Sequence, residues 1–265
     1  MSRFIFVLAC VVAVFPLFAY AGDLEEAKKL NAQLIELYNQ GKYAEAAKIG
    51  ERALAIREKV LGPQHPDTAT SLANLAALYD RMGDYAKAEP LHKRSLAIRE
   101  KVLGPEHQET VISMNNLAVF YIRVGDYAKA GPLVKQSLEI SEKSLGPEHP
   151  DTATSLNNLA SLYDNMGDYA KAEPLYKRSL AIREKVLGPE HPDTAISLNN
   201  MAELYIAMGD YAKAEPLHKR SLAIKEKVLG PEHPDTSLAL DNMAAIYKAM
   251  GDYAEAIPFL VETLA

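Results

Sequence analysis

Apolar residues recur along this chain in two alternating helical rhythms. Between Asp151 and Gly167, Leu156, Leu159, Ala160, Tyr163 and Met166 fall at i, i+3, i+4, i+7 and i+10, which is one face of a helix. After Gly167-Asp168, Ala172, Leu175, Ser179, Ile182 and Val186 trace a second face, so the pattern predicts a helix hairpin. Asp168 is placed to cap the second helix; His149, Pro150 and Asp151 give the first a capping group, a first-turn proline and a negative charge at its positive end. Lys177, Arg178, Arg183 and Lys185 lie late in the second helix, where cations favour the dipole. Pro174 falls inside that helix and removes a backbone donor, and Pro90, Pro132, Pro216 and Pro258 repeat it. A kinked helix is expected there rather than an absent one.

The hairpin repeats. Gly41, Gly83, Gly125, Gly167, Gly209 and Gly251 are spaced by 42, and all but the first open Gly-Asp-Tyr-Ala; the first opens Gly-Lys-Tyr-Ala. A second landmark, Leu-Gly-Pro-Glu-His-Pro-Asp-Thr, stands at Leu145–Thr152, Leu187–Thr194 and Leu229–Thr236, with variants at Leu61–Thr68 and Leu103–Thr110. Six copies without an indel make an array, with approximate bounds 24–66, 67–108, 109–150, 151–192, 193–234 and 235–265. A lone hairpin cannot bury its apolar face but stacked neighbours can, so the fold class is all-α, a solenoid of six antiparallel helix pairs.

Leu159-Ala160, Tyr163, Gly167, Tyr169, Ala172 and Tyr176 match the spacing of the tetratricopeptide repeat, with Leu156 in place of the signature Trp. With the 42-residue period and the Gly-Pro-Glu-His-Pro-Asp-Thr loop, residues 24–265 resemble the kinesin light chain type of that repeat. The resemblance implies a right-handed superhelix whose first helices line a concave groove that binds peptide. The first copy departs from the pattern at Ala32 and Leu34, where the others have Asn and a small residue.

Differences between copies point to where specificity lies. Leu75, Leu117, Leu159, Met201 and Met243 hold one core position, and Tyr79, Tyr121, Tyr163, Tyr205 and Tyr247 another. Three sites vary: Thr70, Ile112, Thr154, Ile196, Leu238; then Ala77, Val119, Ser161, Glu203, Ala245; then Asp80, Ile122, Asp164, Ile206, Lys248. They are 7 and 3 apart and share a helical face opposite the core stripe, which the resemblance assigns to the groove; drift of a free surface gives the same variation. Beside them Asn74, Asn116, Asn158, Asn200 and Asn242 stay fixed, although Asn is a mediocre helix former. A carboxamide offers a donor and an acceptor to peptide main chain, and in the family this looks like a ladder gripping an extended peptide; a hydrogen bond between stacked copies is the alternative. The candidate groove therefore comprises these asparagines with Asn115, Asn157 and Asn199, the apolar Ile112, Val119, Ile122, Ile196 and Ile206, and Glu203. Arg81 and Arg123 are placed to receive an acidic group. Ala73, Asn115 and Ile112 stand where chaperone-binding members of the family carry clamp lysines, which disfavours that partner class.

His65, His107, His149, His191 and His233 recur once per copy, but one helix-pair width separates them, so capping is expected rather than a metal strip. His92 and His218 align with Tyr176 and are expected to be half-exposed packing residues. Most polar residues repeat one pattern instead of converging as unlike groups, and phosphate loops, nucleophile elbows and zinc-protease motifs are missing. No enzyme, metal or cofactor is expected.

Composition narrows the class further. The 265 residues are 48% hydrophobic and 24% charged with no Trp, ordinary values for a folded helical protein. A formal charge of −6 gives no footprint for nucleic acid or anionic lipid. Arg3, the apolar run Phe4–Phe18 and the small-x-small Ala19-Tyr20-Ala21 have the order of a secretory signal peptide over residues 1–21. The run is shorter than the roughly 18 residues of a retained membrane anchor, and Cys10 makes only a faint lipoprotein site. Cleavage would leave a cysteine-free protein of charge −7, secreted or periplasmic and not membrane-bound. The expected function is an exported, non-catalytic scaffold whose groove takes a protein or extended peptide segment. The alternative is a self-assembling module that forms a homo-oligomer through the apolar Phe259, Leu260 and Val261.

Overall fold

In the computed structural model the described residues are 11–263, with side chains from Gly22 to Val261; they are helices and short turns, with no strand among them. The helices are α1 (Val11–Asn39), α2 (Tyr43–Leu61), α3 (Pro66–Arg81), α4 (Tyr85–Leu103), α5 (Gln108–Arg123), α6 (Tyr127–Ser144), α7 (Pro150–Asn165), α8 (Tyr169–Val186), α9 (Pro192–Ala207), α10 (Tyr211–Leu229), α11 (Pro234–Met250) and α12 (Tyr253–Thr263). The chain divides into two compact units, Met1–Phe120 and Tyr121–Ala265. In the first, α1 to α4 pack each on the next; in the second, α6 to α12 do so. The start of the expected export segment, with Cys10, lies outside the described residues, and of Val11–Ala21 only the helical backbone is described. No described helix is long and apolar enough to cross a membrane.

Both landmarks are helix punctuation. At the tight turn Gly167 takes φ +76°, a left-handed conformation that side chains disfavour. The next residue, Asp168, accepts from the backbone N–H of Lys171 at 3.4 Å, as Asp84, Asp126 and Asp210 do in their copies. The same lysine turns back to pair with its Asp and lies over the core tyrosine of the preceding helix, 5.2 Å from the Tyr163 ring centre for Lys171. Cap, ion pair and aromatic contact thus explain Gly-Asp-Tyr-Ala-Lys as one unit. In the first copy Lys42 replaces the Asp and α2 has no side-chain cap.

At the longer loop Gly146 has φ +99° and its carbonyl accepts from Thr152 Oγ1 at 2.8 Å. His149 is the N-cap of α7: its Nδ1 accepts from the Asp151 N–H at 3.1 Å. His65, His107, His191 and His233 repeat this within 0.1 Å. Helix α8 runs unbroken through Pro174, because the lost hydrogen bond is one among many and the ring faces solvent.

Buried arginines join the helix pairs. Arg183 is 4% exposed; its Nη1 donates to Asp193 O at 2.9 Å and Ser197 Oγ at 2.8 Å in α9, and its Nη2 to Thr154 Oγ1 at 3.0 Å in α7. It therefore holds three helices together rather than merely complementing a helix dipole. Arg99 makes the same bonds to Glu109 O, Ser113 Oγ and Thr70 Oγ1. Where threonine gives way to isoleucine the arginine also changes: Ile112 goes with Ser141 and Ile196 with Lys225, at the same spacing. Variation at this first site therefore follows an internal partner. Arg178 likewise reaches across copies, pairing with Glu142 at 2.7 Å on the exposed second helices, as Arg220 does with Glu184.

The atypical first copy is a size exchange. Leu34 stands where later copies have the fully buried Ala76, Ala118, Ala160, Ala202 and Ala244. Gly50 stands where they have His92, Val134, Tyr176, His218 and Leu260. A Cβ on Gly50 would come within 2.9 Å of Leu34 Cδ1, so the larger leucine is accommodated by the missing side chain. His92 and His218 are 5% and 1% exposed, which corrects the expectation of half-exposed residues: the position faces the neighbouring first helix, not solvent.

Candidate functional site

The variable face is carried by the first helix of each pair. On α9 and α11 the first variable positions, Ile196 and Leu238, are 48% and 56% exposed. Thr154 and Thr70 at the same position are half-buried beneath their arginines. Ile112 and Val119 are half-buried, and Ile122 is buried.

Two of the fixed asparagines form carboxamide contacts between successive copies. Asn74 Nδ2 donates to Asn31 Oδ1 at 2.9 Å, and Asn200 Nδ2 to Asn157 Oδ1 at 3.1 Å. Asn115, Asn157 and Asn158 are buried, whereas Asn116 is exposed and has Ala73 in place of the upstream partner. At the last rung the pattern breaks: Asn242 Nδ2 turns to Glu203 Oε1 at 3.2 Å, and the buried Oδ1 of Asn199 is left without a hydrogen bond. Each bonded amide keeps a second N–H, so a carboxamide can serve the array and a ligand together. Arg81 and Arg123 are exposed, and Arg81 Nε donates to Tyr38 Oη at 2.9 Å.

At the broken rung the surface opens into a pocket of about 300 Å³ lined by Glu203, Ile206, Tyr211, Asn242, Ala245, Ile246 and Ala249. Three residues predicted from sequence, Glu203, Ile206 and Asn242, are brought together here. Its walls are apolar apart from the Glu203 carboxylate, the Asn242 amide and Tyr211. Burial raises the pKa of Glu203, and the Asp164 carboxylate raises it further, while Lys225 acts in the opposite sense. Burial likewise raises Asp164, against a hydrogen bond with Tyr176 that lowers it. Beneath the pocket His218 Nε2 stands 3.5 Å from Glu203 Oε1, and neither imidazole nitrogen has a hydrogen-bond partner. Burial, assisted by Lys225, pulls its pKa down to about 4, so the imidazole is neutral at pH 7.

His218, Tyr211 and the small residues Ala245 and Ala249 were not among the candidate residues. Tyr211 belongs to the Gly-Asp-Tyr-Ala landmark, whose constancy the turn itself accounts for, so nothing in the sequence assigned it a second role. The change from Arg183 to Lys225 was visible but had no meaning until the threonine partner was known. Among the described residues no three His, Cys, Asp or Glu side chains are grouped to hold a metal ion.

A sequence model of the tetratricopeptide repeat matches residues 37–101, 81–130, 109–185, 156–227 and 193–265. No curated protein matches the sequence. Among solved structures, a kinesin light chain-like protein of Podosopora anserina with nearly identical TPR-like repeats is 32% identical; the match covers 75% of this chain and 94% of that one, with a TM-score of 0.59. BtubC (BKLC) from P. vanneervenii is 25% identical over 85% of this chain and 88% of that one, with a TM-score of 0.61. A Rap protein solved with the competence and sporulation factor shares the fold at 17% identity, covering 90% of this chain and 74% of that one with a TM-score of 0.65.

Proposed function

Because the chain belongs to the tetratricopeptide repeat family, in its kinesin light chain-like form, we propose that it is an exported, non-catalytic scaffold that takes an extended peptide or protein segment along its first-helix face. The observation that carries this reading is the α9–α11 pocket, which lies where the copies differ and collects three of the residues expected to bind. Exposed Ile196 and Leu238 on the same two helices offer apolar anchors, and the remaining amide protons of the asparagines suit a peptide backbone. The repeated polar side chains elsewhere cap and staple helices, which supports a scaffold rather than an enzyme. Export rests on the order of charge, apolar run and small residues in the first 21 positions.

Affinity purification from extracytoplasmic extract tests the reading, run with the chain from Gly22 onward and with the variant Asn116→Ala, Ile196→Ala. Both positions are exposed, so the variant keeps its fold, which circular dichroism checks. A partner held by the unaltered protein and lost from the variant is expected; equal recovery by both would sink the groove assignment. A second reading, assembly through the last helix, is favoured by Ile257 and Val261, 58% and 61% exposed. Phe259 is partly withdrawn from that surface because its ring stacks on Tyr247 at 5.7 Å.

A further inference from the structure

Resting on the groove reading, we propose that the α9–α11 pocket selects a lysine or arginine side chain of the bound segment, its cation against Glu203 and its aliphatic stem along Ile206 and Ile246. Glu203 is the only charged residue lining the pocket. His218, 1% exposed and without a hydrogen bond, directs Nε2 at the carboxylate from 3.5 Å but carries no charge at pH 7. Lys225 of α10 favours the charged Glu203 but does not line the pocket, and the Asp235 carboxylate acts on that lysine more strongly than Glu203 does. Lys248 of α11 is exposed and does not line the pocket. Asp164 on α7 adds a second negative charge from the neighbouring copy. An anionic group entering here would meet the Glu203 carboxylate, with Asp164 raising the negative potential from outside the lining, whereas a cation would pair with that carboxylate.

The shape agrees with the charge. Ala245 and Ala249 keep one wall low, while Ile206, Ile246 and Tyr211 supply the apolar lining that a methylene stem needs. The corresponding position of Glu203 is Ile35, Ala77, Val119, Ser161 or Ala245 in the other copies. Asn242 abandons the carboxamide ladder to bond this carboxylate, leaving Asn199 Oδ1 buried and unpaired. The rearranged rung holds an exposed carboxylate at the pocket, where an incoming group can reach it.

A random dodecapeptide library displayed on phage is selected against the immobilised full chain and, in parallel, against Glu203→Gln. Glutamine keeps the oxygen that accepts from Asn242, so the fold is retained. Selected peptides are then synthesised with a fluorophore and titrated by anisotropy, each beside a version carrying norleucine for its basic residue. The expected result is enrichment of Lys or Arg at one position, with affinity falling about tenfold both for Glu203→Gln and for norleucine. The two losses should not add, because they remove the same contact. Enriched peptides whose affinity depends on Asn116 and Ile196 but not on Glu203 would overturn the pocket and leave the groove reading standing. Failure to enrich any sequence would overturn both, and norleucine binding as tightly as lysine would show an apolar pocket indifferent to charge.

Discussion

Replacing Arg183 by serine, the residue found at the corresponding position as Ser141, tests how far the array depends on its buried guanidinium groups. Arg183 gives three hydrogen bonds of 2.8 to 3.0 Å to acceptors in α7 and α9. Hydrogen bonds from a charged donor contribute about 1.5–3 kcal/mol each in mutational series, but burial opposes the charge and lowers the arginine's pKa. Of the stranded acceptors, Thr154 Oγ1 keeps a bond of its own, donating to Pro150 O at 3.2 Å. Removing the guanidinium leaves neutral acceptors and no buried charge, so the substitution is expected to cost about 1–3 kcal/mol. The double variant Arg183→Ser, Thr154→Ile recreates the natural Ile112 and Ser141 combination and should lose about 1–2 kcal/mol less than the sum of the single changes. Urea unfolding followed by far-ultraviolet circular dichroism reads all of these, with Arg178→Ser as the control for an exposed ion pair that is expected to shift stability by less than about 1 kcal/mol. If Arg183→Ser is as mild as Arg178→Ser, or the double variant is simply additive, the arginine does not hold the helix pairs together.

Gly50→Val should destabilise the first helix pair by about 1–3 kcal/mol through overpacking against Leu34; adding Leu34→Ala, which restores the later copies' arrangement, should recover most of it in thermal melts, and no recovery would contradict the size exchange. His218 has a folded pKa of about 4, below its unfolded value near 6.5. Neutral burial therefore stabilises above that unfolded value and the contribution is lost as pH falls through about 4. Relative to His218→Tyr, which copies Tyr176, the protein should lose about 2 kcal/mol between pH 6.5 and 5, with Glu203 and Lys225 as the facing charges; parallel pH dependence in both proteins would refute this. Thr152→Val, which removes the bond to Gly146 O, should cost about 1 kcal/mol in urea unfolding, and an unchanged midpoint would show the loop does not need that clamp. Light scattering of the chain from Gly22 onward should give one mass across a hundredfold dilution if the last helix does not drive assembly, and a concentration-dependent mass sensitive to Val261→Lys if it does.

The helix pairs were legible because each copy states the same pattern and each turn carries its own chemistry: Asp168 and His149 cap where their sequence position placed them. What the residues do across copies was harder to read. Arg183 looks like a cation at a helix end until its partners in α7 and α9 are seen, since a one-dimensional pattern gives spacing within a helix but not which neighbour lies opposite. The asparagines show the same limit. Their constancy pointed to recognition, and the structure places Asn74 and Asn200 in bonds between copies, a role that also demands constancy. Glu203 and Asn242 stood out in part because Glu203 departs from its counterparts, and departure from a repeat is the signal that symmetry cannot explain. His218 was misjudged for the opposite reason: a histidine aligned with a tyrosine suggests a polar tip reaching solvent, and only the packing of α9 over α10 buries it.

The most direct test of peptide binding at the first-helix face is photo-cross-linking in cells that produce the protein, with p-benzoylphenylalanine placed at Ile196 or, on the exposed side of α8, at Ala181. Irradiation is expected to give a discrete adduct from position 196 that is absent from position 181 and is competed by a peptide selected on the purified chain. Adducts of equal strength at both positions, or none at 196, would contradict binding along this face.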